Sequence, residues 1–289
     1  MNIIDPHLHL FALEQGDYHW LKKENPPFWP DKHVINKNFS DAAVILTPPL
    51  KISGFVHIEA GFDNQQPWRE LAWLENNTEL PFKSVAFIDI SQNEQAFNTQ
   101  LSQLKKYPSL TGCRHILDEQ ALALLTSKDA INNLAQLAKH QLSFDLQMSL
   151  IDQQAVNSLC NILSELPHLN VIINHAGWPP NNSEAMNIWQ KNLKRISQYQ
   201  QCAIKCSGWE MTDRHYSLSW LTETITSCIT YFSVDRVMIA SNFPLCLFST
   251  SYQQYWLQMI AVLNQLKVNE RDIKKLCFSN ALHWYKLNT

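Results

Sequence analysis

Apolar residues in this chain gather into short runs, and stretches with the helical period separate them. Runs that are apolar on both faces suit parallel strands covered by helices; the periodic stretches between them read as those helices. Ile3–His9 is the first run, followed by Gly54–Ala60, Phe82–Ile90, Leu110–Leu117, Leu142–Met148, Val171–Ala176, Cys202–Ser207 and Arg236–Ser241. Helices are predicted near Trp68–Asn76, from the capping box Ser91-Gln92-Asn93-Glu94 to about Lys105, and at Lys128–Lys139. Another runs from the Asp152 cap to the stop at Pro167, with others near Glu184–Tyr199, Leu218–Tyr231, Tyr252–Leu266 and Glu270–Ser279.

Alternation of this kind predicts an α/β protein, a single (β/α)8 TIM barrel over residues 1–289. An open doubly wound sheet would carry a Gly-rich phosphate loop after its first strand; none is present, and the whole chain has only 6 glycines. The long loop after the first strand, residues 11–50, is rich in aromatics and Pro, and a connection of that length is expected to be functional, as a lid is. Most of its aromatics are expected to pack against the body, with Trp20 the one assigned to the ligand side.

A net charge of −3 gives no basic footprint for nucleic acid. No apolar run is long enough to span a bilayer, and the N-terminus lacks the order of a signal peptide. The 7 cysteines are an odd number scattered through apolar segments, as expected of buried thiols in a reducing, cytoplasmic compartment. The expected partner is therefore a small molecule; a homo-oligomer stays open.

Candidate chemistry collects at strand ends, where barrels of this type place their sites. His7 and His9 stand two residues apart on the first strand and share a face, which by strict alternation also holds Asp5. By the same parity His57 shares a face with Glu59, whereas Arg114 and His115 oppose each other, with Arg114 assigned to the mouth. Later strand ends supply Asp145 and Gln147, then His175, then Lys205 or Ser207, and last Asn242. Two imidazoles converging from one strand begin either a metal site or an acid/base site.

The ordered motifs resemble the amidohydrolase superfamily, in its TIM-barrel branch of metal-dependent hydrolases that includes sugar-acid and dicarboxylate lactonases. They are Ile4-Asp5-Pro6-His7-Leu8-His9, Tyr18-His19-Trp20-Leu21, Gly112-Cys113-Arg114-His115, Phe144-Asp145-Leu146, Asn174-His175-Ala176-Gly177-Trp178-Pro179, Lys205-Cys206-Ser207-Gly208 and Ala240-Ser241-Asn242-Phe243-Pro244. The resemblance implies that His7, His9 and His175 hold a divalent metal, zinc foremost, or polarise the substrate carbonyl where no metal is used. It makes Arg114 the grip on a substrate carboxylate, hence an anionic substrate, and puts Trp178 and Trp209 in the loops walling the pocket. Trp20, His57 and Gln147 complete the expected substrate contacts.

Two departures stand out. The strand-eight motif usually carries an Asp that takes a proton from the attacking water, and here Asn242 stands in its place; an amide accepts a hydrogen bond but no proton. The fifth-strand histidine of binuclear members is also missing. The expected activity is hydrolysis of a small lactone, ester or amide, with Glu59 or a histidine as substitute base. The alternatives are a degenerate barrel that binds a small acid without turnover, and a decarboxylase of the same superfamily.

Overall fold

In a computed structural model, which describes residues 1–288, eight parallel strands pair in chain order. They are β1 (Asn2–Leu8), β2 (Lys51–Ile58), β3 (Phe82–Phe87), β4 (Leu110–Ile116), β5 (Ser143–Gln147), β6 (Val171–Ile173), β7 (Cys202–Cys206) and β8 (Val237–Ile239). The ring shuts just beyond β8. Leu8 bridges Phe243, the His9 N–H donates to the Phe243 carbonyl at 2.7 Å, and the Asn242 N–H donates to the His7 carbonyl at 2.9 Å. The molecule is a single (β/α)8 barrel.

Its helices are α1 (Trp68–Asn77), α2 (Glu94–Leu104), α3 (Ala121–Thr126), α4 (Lys128–Lys139), α5 (Gln153–Glu165) and α6 (Ser183–Ile196). After β7 come α7 (Trp209–Thr212), α8 (Leu218–Phe232), α9 (Tyr252–Gln265), α10 (Glu270–Lys274) and α11 (Asn280–Tyr285), the last two joined by a π turn. The short α3 and α7 lie in stretches where no helix is predicted. Asn93, and not Ser91, caps α2: its side chain accepts from the Ala96 N–H at 3.0 Å, while the Ser91 hydroxyl turns back to Asp89. Several strands end earlier than their apolar runs, because residues beyond Phe87, Ile173 and Ile239 enter the turns that carry the mouth.

Two apolar layers result. Side chains facing outward from the strands meet the helices in one large core. Facing inward, Ile4, Val56, Ile58, Val85, Ile172 and Met238 fill the lower barrel, and Tyr285 and Leu287 close its bottom. All seven cysteines are buried and unpaired. No helix among the described residues is long and apolar enough to cross a membrane.

Strict alternation fails on β1. Asp5 pairs with Phe55 and Leu8 with His57, so β1 spends three residues where β2 spends two. This bulge re-aims the strand: Asp5 faces the helical layer, and His7 and His9 face the interior. The Asp5 carboxylate accepts from the His7 N–H (3.2 Å), the Ser241 N–H (3.0 Å), the Ser241 hydroxyl and the Tyr252 hydroxyl (3.1 Å). An Asp5→Ala variant strands those donors in a dry environment. It is expected to lose about 3 kcal/mol of stability in urea titration; a loss within 0.5 kcal/mol, on the order of a surface substitution, would show that the seam holds without it.

Candidate active site

Three imidazoles meet at the barrel floor. The His7 ring centroid lies 5.1 Å from that of His9 and 4.6 Å from that of His175. All three rings are held neutral at physiological pH. Burial comes first in pushing each well below the ordinary imidazole value, followed by Lys205 for His7 and by Arg114 for His9 and His175.

Their hydrogen bonds separate their roles. His9 Nδ1 lies 2.7 Å from the Ile58 carbonyl, which can only accept, so Nδ1 carries the hydrogen and Nε2 keeps a lone pair. His7 Nδ1 lies 3.3 Å from Lys205 Nζ, and His7 Nε2 is buried with no partner. His175 Nδ1 lies 3.1 Å from the Ser207 hydroxyl.

His175 owes its place to an unusual backbone. His175, Ala176, Gly177 and Trp178 all have left-handed torsions, with φ of 53°, 51°, 68° and 56°. Such a conformation costs a non-glycine residue about 1 kcal/mol or more. It turns the His175 ring against Trp178, with centroids 4.7 Å apart. Gly208 makes room below: a Cβ there would stand 2.4 Å from His175 Nδ1.

Above the floor opens a cavity of about 690 Å³. His9, His175, Arg114, Glu59, Gln147 and Asn242 line it from the barrel, and Trp20, Trp29 and Trp178 wall it from the loops. The long first loop thus supplies two indoles, and Trp20 is pinned by its Nε1–H to the Ala60 carbonyl at 2.8 Å. Trp209 is instead fully buried, packed against Trp220. His7 lies beneath the lining.

Arg114 and Glu59 bind each other. Arg114 Nε–H donates to Glu59 Oε1 at 2.8 Å, Nη2 to the Glu59 carbonyl at 2.8 Å, and Nη1 to Gln147 at 3.1 Å. The charge expected to grip a substrate carboxylate is therefore largely answered from within, and so is the carboxylate considered as a base. His57 does not reach the cavity. Its Nδ1 accepts from the Leu10 N–H (3.3 Å), so Nε2–H donates to Glu70 of α1 (2.9 Å), and the parity shared with Glu59 ends where the chain leaves β2.

Two acidic residues here escape the sequence reading. Asp118 lines the cavity and accepts from Trp178 Nε1–H and Gln147, with burial raising its pKa. Glu210 on α7 accepts from the Asn242 amide at 2.6 Å, and burial raises its pKa to about 7. Asp118 directly follows the run Leu110–Leu117, where strand-end reading could have found it, whereas Glu210 lies three residues past the run Cys202–Ser207 and nothing in the apolar pattern marks it.

The donor set does not fit a three-histidine metal site. Among the described residues no group of three or more His, Cys, Asp or Glu side chains is placed to hold an ion. Chemically, Lys205 Nζ stands against His7 Nδ1, and a neutral ring that accepts from an ammonium there has its hydrogen on Nε2, where a ligand needs a lone pair.

Fold and mouth together define a barrel of the amidohydrolase type. The chain belongs to the Amidohydrolase family, whose model matches residues 4–287. It is 21% identical to an L-fucono-1,5-lactonase of Burkholderia ambifaria, over 96% of each chain. Among solved structures it resembles an amidohydrolase from Burkholderia multivorans, one form of which holds zinc, at a TM-score of 0.82, 17% identity and 100% of both chains. It also resembles a Pseudomonas putida protein named for hydrolysis of 2-pyrone-4,6-dicarboxylic acid, at a TM-score of 0.70, 16% identity, 98% of this chain and 97% of that one.

Glu210 gives a signed pH prediction. Its carboxyl sits near pKa 7 when folded against an ordinary 4.5, so the folded state binds the extra proton between those values. That contribution is fully present below pH 4.5 and is lost as pH rises through 7. Glu210→Gln should therefore be more stable than the native chain at pH 8, by up to about 3 kcal/mol, with the advantage gone at pH 4. Chemical denaturation at both pH values tests this, and a pH-independent difference would refute it. Gly208→Ala should separately displace the His175 ring, seen in a crystal structure of the variant, and destabilise the fold by about 1–3 kcal/mol.

Proposed function

We propose that this protein hydrolyses a small lactone without a metal ion, and that its substrate is neutral and hydroxylated. The observation that carries the reading is the pair of differently partnered imidazoles on the floor: His9 Nδ1 against the Ile58 carbonyl, and His7 Nδ1 against Lys205 Nζ with its Nε2 unpartnered.

In this mechanism the ring carbonyl oxygen seats against the histidine cluster. Once the substrate parts His9 and His175 above it, the buried His7 Nε2–H takes up the charge that develops on that oxygen, as an oxyanion donor does. His9 Nε2 receives a proton from the attacking water, with Asn242 beside it orienting that water through its amide. Proton return from His9 to the ring oxygen releases the hydroxy acid. Burial depresses the basicity of His9, which suits an activated ester such as a lactone better than an amide.

Charge on the wall supports a neutral substrate. The charged residues lining the cavity are Arg114, Glu59 and Asp118, and the first two cancel. A dicarboxylate would meet a wall with no surplus of positive charge. Hydroxyl groups would meet Asp118, Gln147 and Asn64, while the indoles of Trp20, Trp29 and Trp178 offer flat apolar faces to the ring.

The test is a panel of aldonolactones, 2-pyrone-4,6-dicarboxylate and simple esters, followed by acid release in a pH-indicator assay. Turnover is expected on a neutral aldonolactone and is expected to survive exhaustive chelation. His9→Gln should lower it by about 10²- to 10⁴-fold, and His7→Phe by about 10²- to 10³-fold. Preference for the dicarboxylate, loss of activity on chelation, or release of carbon dioxide from an aromatic hydroxy acid would each overturn the reading.

A further inference from the structure

Lys205 on β7 has no solvent exposure, and neither has Asp145 on β5, yet the two form an ion pair at 2.6 Å inside the barrel. Burying such a pair gains little stability over apolar packing, so stability alone does not account for it. The Tyr285 hydroxyl donates to the same Asp145 oxygen at 2.8 Å, fixing the carboxylate from below. Above, Nζ comes within 3.3 Å of His7 Nδ1. An ammonium group has hydrogens and no lone pair, so the nitrogen facing it can only accept. A neutral His7 must then carry its single hydrogen on Nε2, the atom left buried without a partner.

We propose that Lys205 is a positioning residue that locks His7 in the Nε2–H tautomer, giving the floor a fixed hydrogen-bond donor and denying a divalent cation one of its nitrogens. Asp145 and Tyr285 hold the lysine in place for this purpose. The neighbouring His9 is set the opposite way by a backbone carbonyl, so one strand presents a donor and an acceptor side by side. The catalytic use of that donor rests on the lactone reading, but the tautomer does not.

Two measurements test this on the full chain. In ¹⁵N-histidine-labelled native protein at pH 7, with His7 assigned by comparison with His7→Gln, Nδ1 should resonate as an unprotonated nitrogen and Nε2 as a protonated one. A protonated Nδ1, or averaged shifts, would overturn the proposal whatever the substrate proves to be. Zinc titration by calorimetry then compares native protein with Lys205→Met/Asp145→Asn, which removes the whole ion pair and leaves no unpaired charge. Zinc should bind the double variant at least about tenfold more tightly, and equal or weaker binding by the folded variant would count against the proposal. Should the variant fail to fold, the native-protein spectrum still decides.

Discussion

The carboxylate of Asp5 is the constraint from which the site follows. A barrel must join its first strand to its last, and here one buried side chain backs the backbone bonds of that join. By accepting from Ser241, Tyr252 and the His7 amide, Asp5 fixes the seam from the helical side. The bulge it stabilises is what turns His7 inward. Without the extra residue, His7 would point at α9 and the interior would receive its neighbours instead. Closure and site assembly are therefore one event: the same backbone bonds that shut the ring, His9 to Phe243 and Asn242 to His7, set the spacing of the floor.

The second histidine source is held by a different device. Strand β6 ends after three residues, and the left-handed turn that follows swings His175 over the floor and Trp178 over the wall. Backbone in that region is unfavourable for residues with a side chain, so it persists only where its surroundings over-determine it. Here they do. Leu150 packs against Gly177 so closely that a Cβ would stand 2.2 Å from its side chain, the Leu150 N–H donates to the Gly177 carbonyl at 2.9 Å, and Gly208 lies under the imidazole. Two of the chain's few glycines are thus spent on one turn.

The strand-and-helix alternation, the barrel and the convergence of His7, His9 and His175 were legible in the sequence, because each rests on periodicity or on the order of motifs. What alternation could not carry was anything that depends on a bulge or on residues past a strand end. Asp5 and His57 were placed by parity, and both face the helices: one because β1 inserts a residue, the other because inward facing on β2 belongs to Val56 and Ile58. Arg114 and Glu59 stand at the ends of β4 and β2, one strand apart, and their contact answers the charge of both. The resemblance makes Trp209 a wall residue, yet α7 turns it into the core. Asp118 stands just past a predicted strand run and was overlooked, whereas Glu210 sits on the one-turn helix α7, which has no periodic signal, so only the folded chain relates it to the mouth.

Asn242 makes sense once Glu210 is seen behind it. An aspartate at 242 would set a second carboxylate within hydrogen-bonding distance of the first, in a place where burial already raises the Glu210 pKa to about 7. Like charges that close cannot both ionise, so one of the two would hold a proton and neither would be a dependable base. An amide resolves the conflict: its N–H satisfies Glu210 and its oxygen remains to accept from a water. The floor then keeps its charges in compensated pairs, Lys205 with Asp145 and Arg114 with Glu59, around neutral imidazoles. In such a setting proton transfer falls to tautomer-fixed histidines, whose two nitrogens already face opposite tasks. The loss of the strand-eight carboxylate and the presence of the buried lysine are, on this argument, two parts of a single electrostatic arrangement.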